Sequence, residues 1–133
     1  MLRINEEING ILVDINFSKG LNCIDLGMSG TGKSFLLSLI KAYCLKNSIY
    51  FKSFDYNSSA DDIIRVLNGS EKTISVIMLD NADLYMNKEL VSVLCNYSNS
   101  VVIVSIKKRL MLDSSYKLIK LVYTSNNIIC KEV

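Results

Sequence analysis

Two short runs in which apolar and polar residues mix, Leu2 to Ile8 and Ile11 to Phe17, flank the dipeptide Asn9-Gly10. Both central positions of a type I′ turn need positive φ, and Asn-Gly meets that need best, so an opening β-hairpin is expected. Ser18-Lys19-Gly20 turns the chain into an apolar strand, Leu21 to Leu26. Apolar positions then recur with helical period at Phe35, Leu36, Leu39, Ile40, Tyr43 and Cys44. Asn47-Ser48 breaks that pattern, and Ile49 to Tyr56, rich in aromatic and β-branched residues, predicts a second strand.

Ser58 or Ser59 ahead of Ala60-Asp61-Asp62 predicts the start of a helix with Ile63, Ile64 and Leu67 on its apolar face and Asn68-Gly69 at its end. Ile74 to Asp80 and Val101 to Ile106 are nearly continuous apolar runs, as expected for central strands of a parallel sheet covered on both faces. Between them Leu84 to Asn96 predicts a helix through Leu84, Met86, Leu90, Val91, Leu94 and Cys95. Lys107 to Asp113 is expected to be a connector or short helix. Tyr116 to Tyr123 and Ile128 to Val133 predict a closing hairpin around Ser125-Asn126-Asn127. Alternating strands and helices with right-handed crossovers imply an α/β fold, a mainly parallel, doubly wound sheet with its ligand crevice at the carboxyl ends of the strands.

With 133 residues, half of them apolar, the chain suits one domain spanning 1-133. Fifteen basic and 13 acidic residues are spread along it, so no basic stripe signals a nucleic-acid backbone. Lys107-Lys108-Arg109 is the one basic cluster, and a solvated loop accounts for it as well as a contact does. Histidine is absent, which removes Ser-His-Asp, Cys-His and histidine-ligated metal chemistry. Cys23, Cys44, Cys95 and Cys130 fall singly in apolar runs without C-x-x-C spacing, and are expected to be small core residues in a reducing compartment. Charges throughout Met1 to Phe17 argue against a signal peptide, and no apolar run is long enough to span a bilayer. A cytoplasmic, soluble protein is expected.

The candidate chemistry sits between the third predicted strand and the first helix. Gly27-Met28-Ser29-Gly30-Thr31-Gly32-Lys33-Ser34 fits G-x-x-x-x-G-K-[ST] at every fixed position. Glycines at 27, 30 and 32 let successive backbone N–H groups converge on phosphate oxygens, and a helix beginning right after them aims its positive dipole end at the same place. Lys33 would supply a point charge to β/γ-phosphates, and the Ser34 hydroxyl could complete a Mg²⁺ shell. A Gly-rich turn with no nucleotide is the bland alternative.

Here the chain resembles the P-loop NTPases, in GMSGTGKS and in ISVIMLDNAD, whose apolar run ends on Asp80 as a Walker B strand does. The opening hairpin is similar to that of ABC-type and related ATPases, though no aromatic between Leu2 and Ile8 matches the one those families stack on adenine. The words LNGSEK resemble the ABC signature loop, but Glu71 lies nine residues before Asp80, too close for that element, and a helix C-cap is preferred.

The resemblance implies a single-domain P-loop NTPase fold with an N-terminal and a C-terminal hairpin. It also implies a phosphate site made of residues 27 to 34 with Phe35, and Mg²⁺ held by Ser34 and Asp80. The usual glutamate after the Walker B aspartate is Asn81, which can hydrogen-bond water but not take its proton. Asp83 could supply the carboxylate or could cap the following helix. Asp55 is a further candidate acid or a surface turn. Ser105 sits where AAA+ proteins keep a polar γ-phosphate sensor. Lys107 to Arg109 could reach a phosphate in this subunit or a neighbour.

ATP is preferred over GTP, because Asp80-Asn81-Ala82-Asp83 lacks the glycine of D-x-x-G and Asn87-Lys88-Glu89-Leu90 lacks the aspartate of N-K-x-D. Only Arg3, Arg65 and Arg109 are present, too few for the arginine-rich lid of a small-molecule kinase. Two expectations remain. One is a Mg-dependent ATPase of low intrinsic rate, using Lys33, Asp80 and Asp83 or Asn81, with a protein partner or self-association closing the site. The other is a nucleotide-loaded switch that hardly hydrolyses.

Overall fold

The structure is a computed structural model, and the residues it describes are 2–8, 10–25, 33–70, 72–106, 117–124 and 127–132. Eight strands form one sheet: β1 (Leu2–Ile8), β2 (Ile11–Phe17), β3 (Gly20–Asp25), β4 (Phe51–Phe54), β5 (Val76–Leu79), β6 (Val101–Ile106), β7 (Lys117–Thr124) and β8 (Asn127–Glu132). Their spatial order is β1-β2-β8-β7-β3-β6-β5-β4. From β7 to β4 every neighbouring pair is parallel, β1/β2 and β7/β8 are antiparallel hairpins, and β2 joins β8 in parallel. The α/β class and both hairpins agree with expectation. Gly10, at φ +84°, takes the positive φ its hairpin needs, and Gly20 enters β3 at φ +98°.

Three helices are described: α1 (Lys33–Lys46), α2 (Ala60–Asn68) and α3 (Lys88–Cys95). They divide between the two faces of the sheet because the central strands are apolar on both sides. Toward α1 point Ile24, Val76, Met78, Val101 and Ile103, joined by Leu2, Ile4, Val13, Ile15 and Phe17 from the first hairpin. Toward α2 and α3 point Leu21, Cys23, Ile77, Leu79, Val102, Val104 and Ile106. At about 25 cal/mol per Å² of apolar surface, these two layers supply most of what favours folding.

The buried stripe of α1 is Leu36, Leu37, Leu39, Ile40 and Cys44, with Tyr43 at its margin. Phe35, expected on that stripe, is 43% exposed, because Leu37 takes the inward position. Burial pushes the Cys44 thiol up to about 11, so it behaves as a core residue.

Boundaries moved in several places. The predicted strand Ile49 to Tyr56 contracts to four residues, since the Asp55 carboxylate accepts the Asn57 N–H at 2.9 Å and turns the chain. Ile74 to Asp80 contracts to Val76–Leu79. Ser59 caps α2 as expected, accepting the Asp62 N–H, and Gly69 ends it. The helix expected over Leu84 to Asn96 divides into a 3-10 turn, Ala82–Leu84, and α3. Asn87 causes the break: its side chain accepts the Leu90 N–H at 2.8 Å, capping α3 four residues later than predicted. Leu84, expected in the core, is 70% exposed as a result. Cys23 and Cys44 are buried, but Cys95, at the end of α3, is exposed, contrary to the core reading. The expected connector Lys107 to Asp113 lies outside the described residues. Among the described residues no helix is long and apolar enough to cross a membrane.

Candidate functional site

After β3 the chain passes through α1 to the far edge strand β4, then steps back through β5 and β6 until β6 lies beside β3. The crossover after β3 lies on one face, and α2 and α3 on the other. Such a reversal is where open α/β sheets bind ligands, beyond the carboxyl ends of the strands. Asp25, Asp55, Asp80 and Ser105 all lie at that end.

The register builds the centre of the site. Leu79 pairs with Val104 and Ile24 with Ser105, so Asp80 and Ser105 come abreast just where β5 gives way to a turn. Ser105, fully buried, donates its hydroxyl to Asp80 Oδ1 at 2.6 Å and accepts the Asn81 backbone N–H at 2.9 Å. One hydroxyl therefore braces the carboxylate and the peptide that follows it. In this arrangement the Ser105 hydroxyl holds the aspartate in place. The Asp80 N–H donates to the Phe54 carbonyl at 2.9 Å, tying the strand end to β4.

Asn81 sits at φ 52°, ψ 44°. That left-handed conformation suits Asn better than a longer side chain, which gives a conformational reason for an amide where glutamate was the family expectation. Its side chain makes no capping hydrogen bond.

Asp83 lies within the 3-10 turn. The capping role considered for it does not hold, because the helix that follows is capped by Asn87. Its Oδ1 is buried and has no hydrogen-bond partner among the described residues. An unpaired buried carboxylate oxygen costs on the order of 1–3 kcal/mol, more when charged, so the position is one where a donor, water or cation would be stabilising.

Tyr85 was not foreseen. Its hydroxyl donates to the Asp80 carbonyl at 2.7 Å and clamps the turn. Burial first, and then the negative charges of Asp80, Asp55 and Asp83, push its phenol well above the usual tyrosine range. The sequence signal was only an aromatic five positions after the aspartate. Asp55 itself forms the turn with Asn57, in keeping with its surface-turn reading.

Of the remaining site residues, Gly27, Met28, Ser29, Gly30, Thr31 and Gly32 lie outside the described residues. Lys33 and Ser34 are the first two residues of α1, described in their backbone only. Phe35 is exposed in the same first turn. No acidic side chain occupies that turn. The structure thus brings Asp80, Asn81 and Ser105 into direct contact, with Asp83 two residues past Asn81 in the turn that follows.

No family model matches the chain, and no curated protein is significantly similar to it.

Proposed function

We propose that the chain is a P-loop NTPase that binds ATP with Mg²⁺ and hydrolyses it slowly to ADP and phosphate, with a protein partner or a second copy completing the site. The observation that carries this reading is the order of its parts. GMSGTGKS follows β3 and leads into α1, while the braced Asp80 ends β5, with β6 as the single strand between β3 and β5.

The donor set suits the cation: a carboxylate at Asp80 and a hydroxyl at Ser34 are hard ligands of the kind Mg²⁺ takes, directly or through water. Ser34 and Asp80 would hold Mg²⁺, which when bound offsets negative charge on the phosphates. In this reading the amides of residues 27 to 34 and the ammonium of Lys33 bind the β/γ-phosphates, aided by the start of α1. Asp83 orients the attacking water and accepts its proton, while Asn81 contributes at most a hydrogen bond. Ser105 and Tyr85 keep Asp80 and its turn in place. The left-handed geometry at Asn81, with no carboxylate there, favours the second reading as well: a nucleotide-loaded switch in which the segment after Asp80 reorders on binding.

Mg-ATP at millimolar concentration should raise the melting temperature by mass action, and Lys33→Ala should abolish the rise. An unchanged wild-type melting curve would remove the nucleotide. Single-turnover phosphate release separates the two readings. A rate that falls at least tenfold in Asp83→Ala supports hydrolysis through that carboxylate, and no release in wild type leaves the switch.

A further inference from the structure

A groove of about 670 Å³ lies away from the crevice, at the amino end of β4, between that edge strand and the last turns of α2. Tyr50, Lys52, Arg65, Gly69, Ser70 and Lys72 line it together with Val66. Of the seven lining residues described, three are cationic and none is anionic, in a chain whose net charge is only +2; Glu71, between Ser70 and Lys72, lies outside the described residues. Lys52 and Lys72 have no carboxylate within ion-pair distance among the described residues. Arg65 bonds Asp62 at 2.8 Å, but the pair is exposed and so weakly held.

The second feature is the strand edge. Among the described residues β4 ends the sheet and pairs with β5 on one side only. The Tyr50 carbonyl accepts from Ser75 and the Phe54 carbonyl from Asp80, so residues 50, 52 and 54 spend their backbone groups on β5. In a parallel ladder the alternate residues, Phe51 and Ser53, then turn their N–H and C=O groups outward. Tyr50 and Phe54 pack toward the α2 side of the sheet, and Lys52 shares their face by strand alternation.

We propose that this edge receives an extended acidic segment of a partner protein, which adds to β4 as a further strand and places acidic side chains at alternate positions over Lys52, Arg65 and Lys72. Main-chain pairing with Phe51 and Ser53 supplies the attachment, and the cations select the side chains. A single-stranded nucleic acid fits less well. It would leave the edge amides unpaired, and Tyr50, the one aromatic among the described residues lining the groove, already has the Lys52 ammonium 5.5 Å from its ring centroid. Lysine on an edge strand also discourages pairing with a neutral or basic strand. An acidic strand removes that obstacle. The proposal is independent of nucleotide binding, since the groove and the crevice lie at opposite ends of β4.

The test is fluorescence anisotropy of the full chain with a labelled, end-blocked Glu-Val-Glu-Val-Glu peptide. Saturable binding is expected, weakened about tenfold by Lys52→Glu with Lys72→Glu, and by a similar factor when the backbone nitrogens facing β4 are methylated. Lys52→Gln with Lys72→Gln, which keeps the side-chain length, should give an intermediate loss if the reversed charges perturb folding. Absence of saturable binding to wild type, indifference to backbone methylation, or tighter binding of an oligothymidylate of equal charge would each overturn the proposal.

Discussion

Replacing Ser105 with alanine removes one oxygen from a fully buried position and breaks two hydrogen bonds at once, to Asp80 Oδ1 and from the Asn81 N–H. The cavity is negligible, so the cost is polar. Asn81 and Asp80 are both half-buried and recover part of their loss from water. Each broken bond then costs about 1 kcal/mol, giving roughly 2 kcal/mol in all, near the middle of what single substitutions do. For a chain of 133 residues the unfolding entropy is about 0.3 kcal/mol/K, so the melting temperature should fall by about 7 °C. Urea unfolding followed by far-UV circular dichroism measures the free energy, and calorimetry the midpoint. Ser105→Thr keeps the hydroxyl but adds a methyl to a packed site, costing about 1 kcal/mol through crowding alone. If alanine cost less than about 0.5 kcal/mol, or no more than threonine, the hydroxyl would not be bracing the turn. If the chain binds Mg-ATP as proposed, a further consequence separates bracing from simple stability: the melting-temperature rise on adding Mg-ATP should shrink in Ser105→Ala and be retained in Ser105→Thr.

Two other substitutions address the same turn. Asn81→Gly should leave stability within about 0.5 kcal/mol of wild type, whereas Asn81→Glu should lower it by about 1 kcal/mol because glutamate enters the left-handed region at a cost. Equal urea midpoints for the two would refute the conformational account of Asn81. Tyr85→Phe should cost about 1 kcal/mol at neutral pH by removing the bond to the Asp80 carbonyl. The Tyr85 phenol titrates higher in the folded chain than in the unfolded one, so its contribution is intact below about pH 10 and declines above it, as the unfolded state releases the proton first. Between pH 9 and about 11 the stability of Tyr85→Phe should therefore fall less steeply than that of wild type, and parallel curves would show that Tyr85 is not held protonated.

Much of the architecture was legible because it follows from local chemistry. Asn9-Gly10 marked the first hairpin, Ser59 and Gly69 the ends of α2, and the apolar runs at Val76–Leu79 and Val101–Ile106 the buried strands. The break between Ala82–Leu84 and α3 was missed because Leu84 continues the helical apolar pattern, while a competing cap at Asn87 decides where the hydrogen-bonded helix begins. Exposure of Phe35 and Cys95 escaped for a related reason: periodicity says which residues share a stripe, but not how wide a stripe the neighbouring elements cover.

What the chain alone determined is the set of groups available: a glycine-rich run leading into Lys33 and Ser34, an aspartate ending an apolar run, and no histidine, each a property of residue type and spacing. Tertiary structure decided which of those groups meet. Strand order puts β6 between β3 and β5, and only that neighbour relation, across 25 residues of sequence, brings the Ser105 hydroxyl onto Asp80. The same order leaves β4 at the rim, where Lys52, Arg65 and Lys72, unremarkable along the chain, gather around one groove. Contacts of this kind depend on which strands pair and in what register, a choice made by the whole core at once rather than by any local run of residues.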